Sequence, residues 1–82
     1  MSPTIFRWHG YRVFFFSREE ERAHVHVHCA DGEAKFWLEP AVTLAKNSGL
    51  SAAQISDIVM IFKERKDEIS HAWREHFRHG SD

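Results

Sequence analysis

The sequence predicts a single α+β domain, in which an antiparallel sheet of two β-hairpins packs against a long C-terminal amphipathic helix. Three observations lead to this fold class. Segments in which apolar and polar residues alternate flank an Asp-Gly dipeptide, and two further segments of this kind flank His9-Gly10. After Ser51, apolar residues recur at helical spacing. With 82 residues the chain is too short for two domains, so residues 1–82 are expected to fold as one unit.

Asp31-Gly32 is the strongest local signal in the chain. The pair joins the segments His24–Ala30 and Glu33–Glu39. Asp-Gly is preferred in a two-residue type I′ turn, because both of its positions need positive φ. A two-residue loop at this place predicts a register that pairs His28 with Lys35, His26 with Trp37 and His24 with Glu39.

The predicted register sorts the side chains of this hairpin onto two faces, because successive strand residues point to opposite sides of a sheet. One face is apolar and is expected to form the core: Val25, Val27, Cys29, Ala34, Phe36 and Leu38. The other face is expected to look outward: His24, His26, His28, Lys35, Trp37 and Glu39. A slip of one residue would bury all three histidines, so the register should be well specified.

The first hairpin is predicted to join Thr4–Trp8 to Tyr11–Phe16 through His9-Gly10. Three consecutive phenylalanines end its second strand, so both faces of that strand carry aromatic rings. This pattern is typical of a central strand that is covered on both sides. The alternative is that a partner chain covers one side.

A helix is predicted to begin at Ser51. The run Ser51-Ala52-Ala53-Gln54 fits a capping box, and Leu50 and Ile55 stand at the positions of a hydrophobic staple. Charged residues at 65–67 interrupt the apolar face, so one long helix is predicted and two shorter helices are the alternative. The helical face comprises Ile55, Ile58, Val59, Phe62, Lys66, Ile69, Trp73 and Phe77, with Gly80 as the stop.

The composition limits the class of protein. The chain is 43% hydrophobic and 28% charged, which is typical of a globular domain. Its net charge of −1 disfavours a general nucleic-acid binder but is compatible with a local basic patch. No signal peptide or membrane span is predicted, since the longest apolar run is Val13–Phe16. Cys29 is the only cysteine, which fits a reducing cytosol, so a cytoplasmic location is expected.

The ladder His24-x-His26-x-His28 is the main chemical candidate. Adjacent histidines of a strand face can converge on one divalent metal ion, and Glu39 could add an oxygen ligand. The outer two histidines lie about 13 Å apart along a strand, so only an adjacent pair can bind one ion. His24 or His26 could instead act as a general acid or base. The simpler alternative is a polar surface or a partner contact, and no other cofactor is predicted.

Trp37 on the predicted outward face indicates an interface, because exposed aromatic residues among charged ones are typical of binding hot spots. The same rings could stack a nucleobase beside Lys35, Arg7 and Arg12. The alternative is that the C-terminal helix covers Trp37. The partner-binding candidates are Trp37, Lys35, Arg12, Phe14 and Phe16.

Several segments of the chain resemble the bacterial domain-of-unknown-function family 4160. They are Pro3-Thr4, Gly10-Tyr11-Arg12, Phe14-Phe15-Phe16-Ser17, His24-x-His26-Val27, the run from Asp31 to Leu38, and Ala72-Trp73 with Phe77. The resemblance covers nearly the whole chain. It implies a small stand-alone protein, often encoded beside a second small protein of domain-of-unknown-function family 2442, and grouped with toxin–antitoxin components. It implies no reaction.

The favoured function is therefore that of an interaction module, one component of a toxin–antitoxin-like pair that binds a cognate small protein or itself. The sequence does not determine whether the chain is the toxic or the neutralising half. The alternative is a metal- or histidine-dependent hydrolase, such as a ribonuclease, that uses His24 and His26 with Glu39.

Overall fold

The computed structural model describes residues 4–15 and 22–78, and only the backbone of residues 77 and 78. It contains one five-stranded antiparallel sheet whose strands lie in sequence order, followed by two helices. The predicted α+β class is confirmed. The sheet has five strands, one more than the four of the two predicted hairpins. The elements are β1 (Thr4–Trp8), β2 (Tyr11–Phe14), β3 (His24–Cys29), β4 (Gly32–Trp37), β5 (Thr43–Ser48), α1 (Ala52–Glu64) and α2 (Lys66–Arg78).

The turn between β1 and β2 lies at His9-Gly10, as the sequence predicts, and its φ values are those of a type I′ turn. His9 has a φ of 48° and Gly10 a φ of 83°, so both central residues adopt the left-handed conformation that this turn requires. Trp8 and Tyr11 close the hairpin as a cross-strand pair, and their rings stack with centroids 5.8 Å apart.

The turn between β3 and β4 differs from the prediction. Gly32 belongs to β4 and pairs with Cys29, so the two loop residues are Ala30 and Asp31, and neither has a positive φ. Every predicted pair is displaced by two residues: His24 pairs with Trp37, His26 with Lys35 and His28 with Glu33. The predicted pairing of His26 with Trp37 and of His24 with Glu39 is wrong.

Contacts from distant parts of the chain explain this register. The backbone at Ser48 and Gly49 approaches Gly32 so closely that a β-carbon would not fit. The Asp31 carboxylate accepts a hydrogen bond of 2.9 Å from Gln54 Nε2, at the start of α1. The displacement is by an even number of residues, so each side chain keeps its predicted face.

The core lies between one face of the sheet and the two helices. Val25, Val27 and Phe36 are completely buried in it, as predicted from the alternation of β3 and β4. Phe62 of α1 packs edge-on against Phe36, with ring centroids 5.2 Å apart, and Ile69 of α2 is also fully buried. The helices therefore pack against the apolar face of the sheet.

The C-terminal segment forms two helices, the alternative that the sequence left open, and not one long helix. Arg65 separates α1 from α2 with φ −107° and ψ 23°. Its guanidinium lies over the Phe6 ring, 4.4 Å from the centroid. The break directs α2 back toward the sheet, where Trp73 packs edge-on against Phe15. Gly80, the predicted stop, lies outside the described residues.

The capping box at Ser51 is present as predicted. The Ser51 hydroxyl accepts from the Gln54 N–H at 3.1 Å, and Gln54 Oε1 accepts from the Ser51 N–H at 2.8 Å. We expect Ser51→Ala to lower the free energy of unfolding by about 1 kcal/mol, because one N–H of the first helical turn loses its acceptor. Urea unfolding measures this loss. Ser56→Ala is the control, because Ser56 is exposed on the same helix, and it should not destabilise the domain. An equal loss of stability in both variants would contradict the capping role of Ser51.

Neither of the described helices combines the length and the apolar character that a membrane-spanning segment needs.

Candidate functional site

The face of the sheet opposite the helices, here called the outer face, carries three rows of side chains that run across the strands. The first row comprises Arg12, His28, Glu33 and Ser48. The middle row comprises Phe14, His26, Lys35 and Lys46. The third row comprises His24, Trp37 and Thr43. All three predicted histidines therefore share this face, but they lie in different rows.

His24 is fully buried, with 0% of its surface exposed, which contradicts its predicted outward position. It begins β3 at the end of the sheet, where α2 reaches the outer face. There its ring meets Trp73 with centroids 5.2 Å apart and Trp37 with centroids 6.0 Å apart. The strand alternation places His24 on the correct face, but the sequence gives no signal that Trp73 covers it.

The hydrogen bond of His24 indicates which nitrogen of the neutral ring carries the hydrogen. Its Nδ1 lies 2.7 Å from the Arg22 carbonyl oxygen, and since a carbonyl only accepts, Nδ1 donates. In the neutral ring the lone pair is then on Nε2, which is buried and has no hydrogen-bond partner in residues 4–15 and 22–78. A fully buried imidazole cannot touch a substrate in this conformation, so the geometry does not support His24 as a catalytic residue.

The predicted metal ligands do not come together. His28 is exposed beside Arg12 and Glu33, and the His24 and His26 rings lie 5.4 Å apart in an edge-on arrangement. Glu39 follows β4 and is exposed, and its carbonyl accepts from Arg22. Within the part of the chain that the structure describes, no three His, Cys, Asp or Glu side chains are grouped to hold a metal ion.

Trp37 is partly exposed, and two cations lie over its ring. The Arg22 guanidinium is 4.2 Å and the Lys35 ammonium 4.6 Å from the ring centroid. The same guanidinium donates two hydrogen bonds, of 2.9 and 3.1 Å, to the Glu39 carbonyl oxygen. These contacts hold the indole in place on the outer face, because cation–π attraction strengthens where the ring is partly removed from water.

Phe14 forms a second aromatic contact on this face. Its ring stacks on His26 with centroids 5.6 Å apart, and the Arg12 guanidinium lies 4.4 Å from its centroid. Arg12 Nε also donates to the Thr4 hydroxyl at 2.7 Å. Four of the five predicted partner-binding residues therefore lie together on the outer face, and the fifth, Phe16, lies outside the described residues.

A cleft of about 270 Å³ opens along the middle row. Lys46 and Ser48 on β5 form one side of it, and sequence reasoning missed both residues because it predicted only a short strand or a turn of helix over residues 41–45. The run Val42-Thr43-Leu44 was the available signal, since β-branched residues favour strands. The cleft is lined by Phe14, His26, Glu33, Ala34, Lys35, Lys46 and Ser48.

The outer face is basic although the whole chain is not. Its strand residues include four cations, Arg7, Arg12, Lys35 and Lys46, and one carboxylate, Glu33, whereas the chain has a net charge of −1. Two pairs of these cations, Arg7 with Arg12 and Lys35 with Lys46, stand directly opposite each other on neighbouring strands.

Comparison with known proteins relates this chain to a protein family. The chain matches neither a curated protein nor a solved structure. The family model for a domain of unknown function, DUF4160, matches residues 10–74, which include strands β2 to β5, helix α1 and most of helix α2. The matched region contains all three rows of the outer face. With that match over most of its length, this chain belongs to the DUF4160 family.

Proposed function

We propose that this domain is a non-enzymatic binding module that works as one half of a toxin–antitoxin-like pair, and that its outer face binds an acidic surface of the partner protein. The observation that carries the proposal is the basic and aromatic outer face, because the helices pack mainly against the other side of the sheet and on the outer face Trp73 of α2 covers His24. This function needs no cofactor.

The charge of the outer face favours an acidic partner over a second copy of the chain. Two copies that met through this face would bring eight strand cations and two carboxylates together, twice the four cations and one carboxylate of each copy. Opposed charges of one sign raise the free energy of association. An acidic surface would instead be attracted to the face before contact, and its association rate would fall with added salt.

Trp37 is expected to contribute most to the binding energy. It is large and partly exposed, and its ring is already held by Arg22 and Lys35, so little side-chain freedom remains to be lost on binding. Tryptophan and arginine are enriched among the residues that dominate protein interfaces.

The test is a pull-down from cells of the source organism with the tagged chain, followed by affinity measurements on any protein captured. We expect Trp37→Ala to weaken binding of the true partner by about 2 kcal/mol, a typical hot-spot loss. Lys35→Glu should also weaken binding of the partner, and this loss should be larger at low salt than at high salt, because salt screens the attraction between charges.

Met60→Ala is the matched control, because Met60 is 54% exposed on α1, away from the outer face. A captured protein supports the proposal only if both outer-face variants lose it and Met60→Ala retains it. Retention by all variants would refute the proposed surface. A chain that remains monomeric at high concentration and captures nothing would refute the binding function itself.

The hydrolase alternative gains no supporting observation from the described residues. His24 is buried, and Glu39 lies beyond the end of β4, apart from the histidine ladder. The interaction module is the function that this geometry supports best.

A further inference from the structure

We infer that the partner protein docks an extended acidic segment along β5 and so adds a sixth strand to the sheet. The inference rests on the proposed binding function and extends it, because it names the element that the partner engages and the kind of segment that fits. β5 is the last strand of the sheet and pairs only with β4 among the described strands. Along its other side, backbone N–H and C=O groups point away from the sheet, where a further strand can pair with them.

β5 differs from β1, the strand at the opposite edge of the sheet. All six residues of β5 are exposed, and none of them belongs to the hydrophobic core. In β1, by contrast, Ile5, Phe6 and Trp8 pack against the core. Val42 and Leu50 flank β5 and are buried, so the strand is anchored at both ends. The edge is therefore held in position while its side chains stay open to a partner.

The two sides of this edge have different chemistry because β5 contains a bulge. Lys46 pairs with Lys35 on the outer face. Leu44 pairs with the buried Phe36, on the core side of the sheet, and 43% of the Leu44 surface is exposed. Since Lys35 and Phe36 are consecutive, Ala45 is the additional residue of the bulge. An added strand would meet a cation on one side and an apolar side chain on the other.

A segment in which acidic and apolar residues alternate fits both sides of the edge. Successive strand residues point to opposite faces, so its carboxylates would lie beside Lys46 while its apolar side chains cover Leu44. Opposite charges on neighbouring strands stabilise a sheet. Burial of the exposed leucine surface contributes further to the binding energy.

Lys46 also disfavours a second copy of the chain as the occupant. Two β5 strands paired about a twofold axis normal to the sheet would place both Lys46 ammonium groups on the same face of the joined sheet. Lysines and bulges on edge strands are common means by which proteins limit unselective strand pairing. The edge therefore favours a strand of opposite charge.

The test is a nuclear magnetic resonance titration of the full chain with a peptide of about eight residues, with blocked ends, in which glutamate and valine alternate. We expect saturable binding, shifts of the amide signals of residues 43–48, and slower hydrogen exchange at the β5 amides that point away from β4. A peptide with the same residues in two blocks, glutamates first, has the same charge and should bind about tenfold more weakly.

Two variants test the two sides of the edge. Lys46→Glu should weaken peptide binding about tenfold at low salt, because it replaces an attraction by a repulsion. Leu44→Ala should weaken it about fivefold, because less apolar surface is covered. Lys63→Glu and Met60→Ala are the matched controls, since both residues are exposed on α1, and they should leave the affinity unchanged.

Several results would overturn the docking site. Equal affinity for the alternating and the block peptide, or equal losses in Lys46→Glu and Lys63→Glu, would show only a general attraction between charges. No saturable binding, or signal changes centred on β1, would also exclude docking on β5. Protection of the β5 amides in a concentrated sample without peptide would show that a second copy occupies the edge, which contradicts the inference.

Leu44 separates this inference from the proposed outer-face surface, because its side chain lies on the core side of the sheet. If Trp37→Ala loses the captured partner and Leu44→Ala retains it undiminished, the outer face binds the partner and docking on β5 is refuted. If the alternating peptide binds along β5 but Trp37→Ala leaves the affinity for the partner unchanged, the outer-face proposal fails and the β5 site stands.

Discussion

Gly32→Ala is expected to lower the free energy of unfolding by about 3 kcal/mol, at the upper end of the cost of overpacking. A β-carbon at Gly32 would overlap the carbonyl oxygen of Ser48 and crowd the backbone of Gly49. Backbone atoms cannot rotate away as a side chain can, so β5 would have to move from β4. Urea unfolding followed by circular dichroism measures the loss.

Gly10→Ala is the control for this prediction. No heavy atom lies within 4 Å of a β-carbon built at Gly10, so only its φ of 83° opposes the substitution. Such a left-handed residue costs about 1 kcal/mol. Equal losses at the two glycines would show that backbone conformation, and not the close approach of β4 and β5, is responsible at Gly32.

His24→Ala is expected to lower the free energy of unfolding by about 3 kcal/mol, as for other large side chains removed from a core. The ring is fully buried between Trp37, Trp73 and His26, and its loss would leave a cavity among them. The Arg22 carbonyl would also lose the hydrogen bond from Nδ1. Thermal and urea unfolding measure the effect.

His28→Ala is the matched control, because His28 lies on the same face of the same strand and is exposed. We expect it to change stability by about 0.5 kcal/mol or less, as surface substitutions usually do. If His24→Ala were as mild as His28→Ala, the buried position of His24 would be wrong. The instability of His24→Ala also makes it a poor probe of catalysis, since lost activity would reflect unfolding.

The features that the sequence predicts correctly depend on local chemistry. The turn at His9-Gly10 and the capping box at Ser51 each involve residues within three positions of one another, and each forms as predicted. The inward position of Val25, Val27 and Phe36 follows from alternation along single strands. Local preference and hydrophobic pattern agree at these positions, so nothing from elsewhere in the chain overrides them.

The features that the sequence does not predict depend on contacts between distant residues. Gly32 is needed where β4 meets Gly49, not in the turn that its Asp-Gly motif indicates. His24 is buried because Trp73, 49 positions later in the chain, packs against it. Lys46 stands opposite Lys35 because of the register of β5, which extends beyond the short strand or turn of helix that the sequence predicts over residues 41–45.

The displaced β3–β4 turn has a consequence for how this hairpin can vary among relatives. A shift of the β3–β4 pairing by two residues would still leave valines inward and histidines outward. A shift by one residue would place inward side chains of one strand opposite outward side chains of the other, unless a bulge absorbed it. Pairing registers in the family should therefore differ by even steps at this hairpin, and an odd step should be accompanied by a bulge in β3 or β4.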